Sequence, residues 1–373
     1  MKKIIIVGAG ISGLYFANLL ETNGKYDYKI LEKRSSLDLN DGYGVQLSVN
    51  AIKLLNKVGF KNLAVHDVYC PSNINFYKAN NCKLISKINI SQFNQQGNFY
   101  TTLKRSVLIN FLLKNIPRDK IIFKSRIQSI DHETNLKINT LDKSWDADHL
   151  IISDGIFSKS KEMVLKSSNL VKYYNSVALR GTLKNLDIND ISLFLGPKFH
   201  FVIYPVNQDN EYNFIAIIRD KNANKDDEIY KQNLLESHTE NIFSKTSYKL
   251  KDKLENISIY PVFVSKNFII PSNKNIFLTG DALFAFPPSF AQGAAQSIES
   301  SYETYENIQG INKNYYENRR IRTKKINSRS EFNHFAFHIS NPIFASVRNL
   351  SIKYLSNNKS FLNNYLRKIY NNK

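Results

Sequence analysis

Residues 3–20 read KIIIVGAGISGLYFANLL, a strand that turns directly into a helix. Ile4, Ile5, Ile6 and Val7 form an unbroken apolar run, as a parallel strand covered on both faces requires. Gly8, Gly10 and Gly13 then supply the GxGxxG spacing in the strand–turn–helix context that gives it meaning. Gly8 permits the tight turn, Gly10 leaves room for a pyrophosphate against the backbone, and Gly13 lets helix and strand pack closely. Ser12 belongs to the same loop, where the free N–H groups and dipole of a helix start favour an anion. The next strand, YDYKILEKR, ends at Glu32, an acid placed to accept hydrogen bonds from a ribose and to disfavour a 2′-phosphate. Together these residues read as a dinucleotide site. Arg34 reads either as a contact near the adenosine end or as a solvated charge.

Regular strand–helix repeats do not follow. INFYKANNCKLISKINI (74–90) reads as a hairpin with Asn80 and Asn81 at its turn. YTTLKRSVLINFLLKNIP (100–117) reads as a strand leading into an amphipathic helix, with Arg105 near its start. A meander of short strands ends at Asp154-Gly155, a long strand-rich stretch covers 171–264, and NIFLTGD (275–281) restores a buried strand with Asp281 just beyond it.

Three motifs in this order, GAGISG with Glu32, SDGIFSKSK (153–161) and LTGDALFAFPPSFAQGAAQSIES (278–300), resemble the group A FAD-dependent aromatic monooxygenases. The likeness runs from the first strand to about residue 350. The salicylate, 3-hydroxybenzoate and 6-hydroxynicotinate hydroxylases are echoed in YGVQLSVNA, VALRGTL, FHFVIYPV and FAQGAAQSIE. The resemblance implies an α/β fold: a Rossmann-type FAD-binding domain with an inserted mixed β-sheet substrate domain and C-terminal helices. The expected boundaries are 1–70, 101–170 and 265–310 for the discontinuous FAD domain, 71–100 and 171–264 for the substrate domain, and 311–373 for a basic helical region.

Cofactor contacts implied by the resemblance are Asp154 in the middle motif, Asp281 on the ribitol chain, Arg105 near the pyrophosphate, and Gln292, Gly293 and Ala294 at a helix start facing the flavin's pyrimidine edge. Positive potential there stabilises negative charge on a reduced ring. Gln46, Pro288 and Ser289 are expected beside the ring on the substrate side. Ile298 is expected in the core and Glu299 at a solvated or polar edge. Departures from the family pattern are Phe284 where His is frequent, Ser300 in place of an acid, and Lys161 in place of Arg.

His200 and Tyr204 lie four apart in HFVIY, so an alternating strand points both to one face. The 6-hydroxynicotinate hydroxylases carry such a pair directly before Pro, which implies His200 as base and Tyr204 as substrate hydrogen-bonding partner. A structural pair on a half-exposed sheet is the other reading. Arg180 either pairs with a substrate carboxylate or pins the sheet.

The implied function is NAD(P)H-consuming hydroxylation of a small aromatic ring, phenolic or hydroxypyridine-like, with O2 activated at the flavin C4a position. The resemblance implies that NADPH or NADH binds transiently, which fits the absence of a second Rossmann motif. Two alternatives are a quinone-biosynthesis ring hydroxylase at the membrane surface and a flavin-binding protein without turnover.

The 373 residues are 42% hydrophobic and 12% aromatic, as in a globular protein, with a net charge of +19. Drift towards Lys, Asn, Ile, Tyr and Phe is the simplest source of that charge. No motif with base-reading spacing occurs, so nucleic acid is not expected as a partner. Cys70 and Cys82 stand apart from any metal-ligand spacing, no metal is expected, and reduced core thiols in the cytoplasm are. The charged, apolar start imitates a signal peptide, but its glycines fit the strand–turn–helix instead. Residues 311–373 carry thirteen Lys or Arg against two Glu. They read as long helices forming a lid with a solvated basic face, and a membrane-surface role is the less favoured reading. A monomer or homodimer is expected.

Overall fold

A computed structural model describes residues 1–37, 43–221 and 253–371. Two sheets carry the architecture. The first has five parallel strands in the order Ile276–Leu278, His149–Ile152, Lys2–Val7, Tyr26–Leu31, Ile121–Ile122. The Ile4–Val7 run is buried on both faces, Ile4 and Ile6 against the first helix and Ile5 and Val7 in a cluster with Ile127, Leu136 and Ile138 of the strand meander. The helix Ile11–Asn23 packs on it through Leu14, Tyr15, Phe16 and Leu20, and Gly24 closes the helix in the left-handed conformation.

The second sheet has seven strands, ordered Glu255–Ser265, Val171–Lys184, Glu211–Arg219, Phe199–Pro205, Ile191–Gly196, Asn73–Lys78, Leu84–Asn89. The 74–90 segment forms the expected hairpin, and one parallel pair, Ile191–Gly196 with Asn73–Lys78, makes the sheet mixed. The part of the strand-rich stretch that falls on 222–252 lies outside the described residues. Alternation sorts the faces. Phe201 and Ile203 join Phe194 and Phe214 in one apolar cluster, while Val202 and Tyr204 turn the other way, towards Phe337, Leu366 and Tyr370 of the C-terminal region.

Helices Gly293–Ile308, Tyr315–Phe337 and Pro342–Leu355 follow, the last started by Asn341, whose side chain accepts from the N–H groups of Ile343 and Phe344. Ile298 is buried, as expected, but Glu299 is not at a solvated edge. It is 2% exposed and ion-paired with Arg322 at 2.6 Å and Arg319 at 3.3 Å. Arg322 also donates to the carbonyls of Lys368 and Ile369, which ties the C-terminal segment to the cofactor-side helix. Part of the basic charge is therefore internal. Cys70 is exposed and Cys82 partly buried, both as free thiols, so neither is the core thiol that the cysteine count suggested. No helix among the described residues is long and apolar enough to cross a membrane.

Candidate active site

The glycine turn is built as its spacing demands. Gly8 adopts φ +97°, and a Cβ there would lie 2.8 Å from the Ser153 carbonyl oxygen. A Cβ on Gly13 would lie 2.1 Å from the Gly8 carbonyl oxygen. Over Gly10, by contrast, no atom stands within 4 Å of the Cβ position, so the backbone is open to a ligand. The Ser12 hydroxyl turns inward, to Thr279 Oγ1 at 2.8 Å and Ser301 Oγ at 2.7 Å. Its side chain knits the first motif to the third. Buried Glu32 accepts from the N–H groups of Ala9 (2.9 Å) and Arg34 (3.0 Å), which fixes the loop and leaves other carboxylate lone pairs free. The Arg34 side chain is exposed. Arg105 opens the helix Arg105–Lys114 and donates its backbone N–H to the Tyr43 carbonyl.

Asp154 sits against Gly8, and its Oδ1 is buried with no partner among the described residues. Burial pushes its carboxyl pKa up, against hydrogen bonds from Ser158 and Ser160. Lys161 is almost fully buried, and its ammonium reaches the Leu283 carbonyl at 3.4 Å. Burial lowers its pKa to about 8, opposed by the charge of Asp154. The residue that replaces the family's arginine thus bridges the second and third motifs. Asp281 opens into a cleft and is enclosed by protein on its other sides, which pushes its pKa up to about 6. Gln292 donates to Ser48 Oγ at 3.0 Å, and a Cβ on Gly293 would meet nothing within 4 Å. Open backbone at Gly10 and Gly293, together with spare acceptor capacity on Asp154 and Asp281, fits a flavin dinucleotide.

Asp281 and the 288–294 segment border a cavity of about 540 Å³ that Gln46, Arg180, His200 and Tyr204 also line. His200 and Tyr204 share a face, as alternation required. Gln46 accepts from the Tyr100 hydroxyl at 2.8 Å. The Arg180 guanidinium lies over the rings of Tyr43 (5.4 Å) and Tyr260 (5.8 Å), and its buried Nε has no partner among the described residues. Burial raises the pKa of the Tyr204 hydroxyl, with Arg180 opposing, so this group enters the cavity as a neutral O–H.

Sequence reading missed what stands behind His200. Its Nδ1 lies 2.9 Å from His338 Nε2, and His338 Nδ1 lies 3.2 Å from His334 Nε2. His334 Nδ1 reaches Ser289 Oγ at 3.4 Å. His334 and His338 are four apart on one helix face, a spacing visible in the sequence, but nothing there pairs them with a residue 138 positions away. The nitrogens face one another instead of converging, and no metal-holding group occurs among the described residues.

One carbonyl sets the protons of the whole chain. His338 Nε2 also lies 3.1 Å from the Ile217 carbonyl oxygen, which can only accept. The proton therefore sits on His338 Nε2, His200 Nδ1 becomes an acceptor, and the His200 proton moves to Nε2. That atom has no hydrogen-bond partner among the described residues, and the ring lines the cavity. His200 is thus set as a donor.

Burial holds all three imidazoles neutral. The pKa of His200 falls to about 3, with His334 adding to the effect, and that of His334 to about 4, with Arg219 adding; His338 is lowered further still. The unfolded chain takes up protons near pH 6.5 that the folded chain refuses, so stability is complete above that value and is lost as pH falls below it. Urea unfolding should show the protein less stable at pH 5.5 than at 7.5 by about 3–4 kcal/mol. An unchanged midpoint would mean that the three rings protonate within the fold.

Comparison with known proteins bears on the family and the fold. The model of the FAD binding domain family matches residues 1–309. The FAD-dependent monooxygenase dpfgE of Gibberella zeae is 24% identical over 173 residues, which cover 44% of this chain and only 37% of that protein. The 6-hydroxynicotinate 3-monooxygenase of Bordetella bronchiseptica is 21% identical over 311 residues, 80% of each chain. Among solved structures, Klebsiella pneumoniae HpxO complexed with FAD and uric acid superposes with a TM-score of 0.86 at 16% identity, covering 99% of this chain and 96% of that one.

Proposed function

The chain belongs to the FAD binding domain family, and on that premise we propose that it is an NAD(P)H-consuming monooxygenase that hydroxylates a small aromatic ring of the phenolic or hydroxypyridine type. One observation carries this reading: the cofactor-side residues Asp281, Gln292, Gly293 and Ala294 and the donors Arg180, His200 and Tyr204 border a single cavity. We assign the division of labour accordingly, with cofactor contacts from 1–70, 101–170 and 265–310, substrate contacts from 71–100 and 171–264, and a lid from 311–373.

When bound, FAD supplies hydride acceptance from the nicotinamide and activation of O2. Gly8, Gly10, Ser12, Gly13, Glu32, Arg34, Arg105, Asp154 and Asp281 are the residues we assign to holding it. The free N–H groups at the start of the Gly293–Ile308 helix favour negative charge on the group beside them. Phe337, Leu366 and Tyr370 close the cavity with apolar surface, and Gln46, Pro288 and Ser289 shape its middle. Dry walls strengthen each polar contact inside.

The expected role of His200 as base requires the reversed tautomer, which leaves the Ile217 oxygen facing a lone pair. Two lone pairs that face each other at 3.1 Å repel. We therefore assign His200 as a donor to the ring oxygen. Tyr204 O–H and the Arg180 cation act with it, and this donor set favours the ring oxygen in its anionic, more readily hydroxylated form.

Oxidation of NADPH and NADH by the yellow protein, with and without a panel of phenolic and pyridine acids, tests the reading. One compound should accelerate oxidation and gain an oxygen atom from labelled O2. Bound flavin with no acceleration by any aromatic acid overturns it. The Arg180→Met variant should raise KM for an acidic substrate about tenfold to a hundredfold, as loss of a charged hydrogen bond does, with a smaller change in kcat. Unchanged KM with lowered stability would make Arg180 a pin for the sheet.

A further inference from the structure

The helix Pro342–Leu355 is apolar on both sides. Its inner side presents Ile352 and Leu355 to the cavity. Its outer side carries Ile343, Val347, Leu350 and Tyr354, which are 72, 55, 69 and 71% exposed. Steps of four, three and four residues put these side chains on one line along the helix. Phe344 on the same helix, and Phe332 and Phe335 at the end of the preceding one, are also more than half exposed. Single exposed apolar residues need no explanation, but a continuous stripe of large ones does.

Charge around the stripe discriminates between occupants. Between residues 311 and 371 the exposed charged side chains are eight Lys or Arg and two Glu. Lys353 flanks the stripe, Lys359 follows the helix end, and Lys324 and Lys325 lie on the preceding helix. A second copy would bring the same sign of charge against itself. An anionic lipid surface satisfies both features: acyl chains cover Ile343, Val347, Leu350 and Tyr354, and headgroup phosphates neutralise the lysines.

We propose that the Pro342–Leu355 helix docks flat on an anionic membrane surface. This brings the bilayer to within about one helix diameter, roughly 10 Å, of the cavity that Ile352 and Leu355 line. The proposal does not depend on the chemistry assigned to the cavity.

Co-sedimentation of the full chain with phosphatidylcholine vesicles, with and without phosphatidylglycerol, is the test. Pelleting should rise with the anionic fraction and fall with salt. Two doubly substituted chains keep the proposal open to refutation, since all four sites are exposed and the fold can be verified by circular dichroism and flavin colour. Val347→Ser with Leu350→Ser, and separately Lys353→Glu with Lys359→Glu, should each weaken partitioning about tenfold or more. No pelleting at low salt overturns the proposal, as does equal pelleting on neutral vesicles or pelleting that both substituted chains retain. Light scattering that shows a dimer, converted to monomer by the serine pair, would assign the stripe to a second copy.

Discussion

Replacing Glu299 with alanine should lower the stability of the protein by about 3–5 kcal/mol, because it takes from buried Arg322 its carboxylate partner and leaves Arg319 with Glu303 alone, at 2.7 Å. Arg319 and Arg322 are 2% and 7% exposed. Burial by itself disfavours the Glu299 carboxylate, but Arg322 and Arg319 outweigh it and draw the pKa down to about 2. The associated stability is present above the ordinary glutamate value, roughly 4.3, and is lost as pH falls towards about 2. Denaturant unfolding checks the magnitude, and the Glu299→Gln form should fall between the alanine form and the natural chain. Because Arg322 also holds the Lys368 and Ile369 carbonyls, the alanine form should loosen the segment that brings Tyr370 to the cavity. An alanine form of natural stability would mean that both arginines reach solvent after relaxation.

The Gly10→Val form should fold and lose its colour. Gly10 has φ −86° and ψ −175°, which a β-branched residue adopts readily, and among the described residues nothing stands within 4 Å of the added Cβ. The added methyl groups fill the space that a pyrophosphate needs, and FAD affinity should fall about a hundredfold or more. Fluorescence titration with FAD measures this, and circular dichroism verifies the fold. Gly13→Ala is the contrasting case, since its Cβ would overlap the Gly8 carbonyl and the first strand–helix unit should not assemble. A yellow Gly10→Val protein of natural affinity would place the dinucleotide elsewhere.

Local chemistry was legible. The Ile4–Val7 run, the glycine spacing and the alternation in HFVIY each report a constraint that acts within a few residues, and the sheets carry them as read. Long-range pairing was not. Glu299 reads as a polar helix position until Arg319 and Arg322 fold back over it. His334 and His338 acquire a role only because the seven-stranded sheet brings His200 and the Ile217 carbonyl against their helix. Tyr43, just before the strand Gly44–Leu47, and Tyr260, in the seven-stranded sheet, bracket Arg180 although they lie 217 positions apart. Three local motifs, through the family they resemble, carry the fold class, whereas the protonation pattern of a site follows from which distant acceptor arrives beside it.

The wall of the cavity has a consequence for biosynthesis. Leu362, Leu366 and Tyr370 line it, and all three leave the ribosome after every glycine and aspartate assigned to the flavin. A nascent chain can complete its nucleotide cradle early, since domains fold as units from the N-terminus. The cavity stays open to water until residues 362–370 have been made. A ribosome stalled in that interval would expose Val202, Leu193 and Phe337, apolar surface that Leu362, Leu366 and Tyr370 share in the finished chain. The order of synthesis therefore makes a flavin-loaded, unsealed chain a natural step on the way to the finished protein.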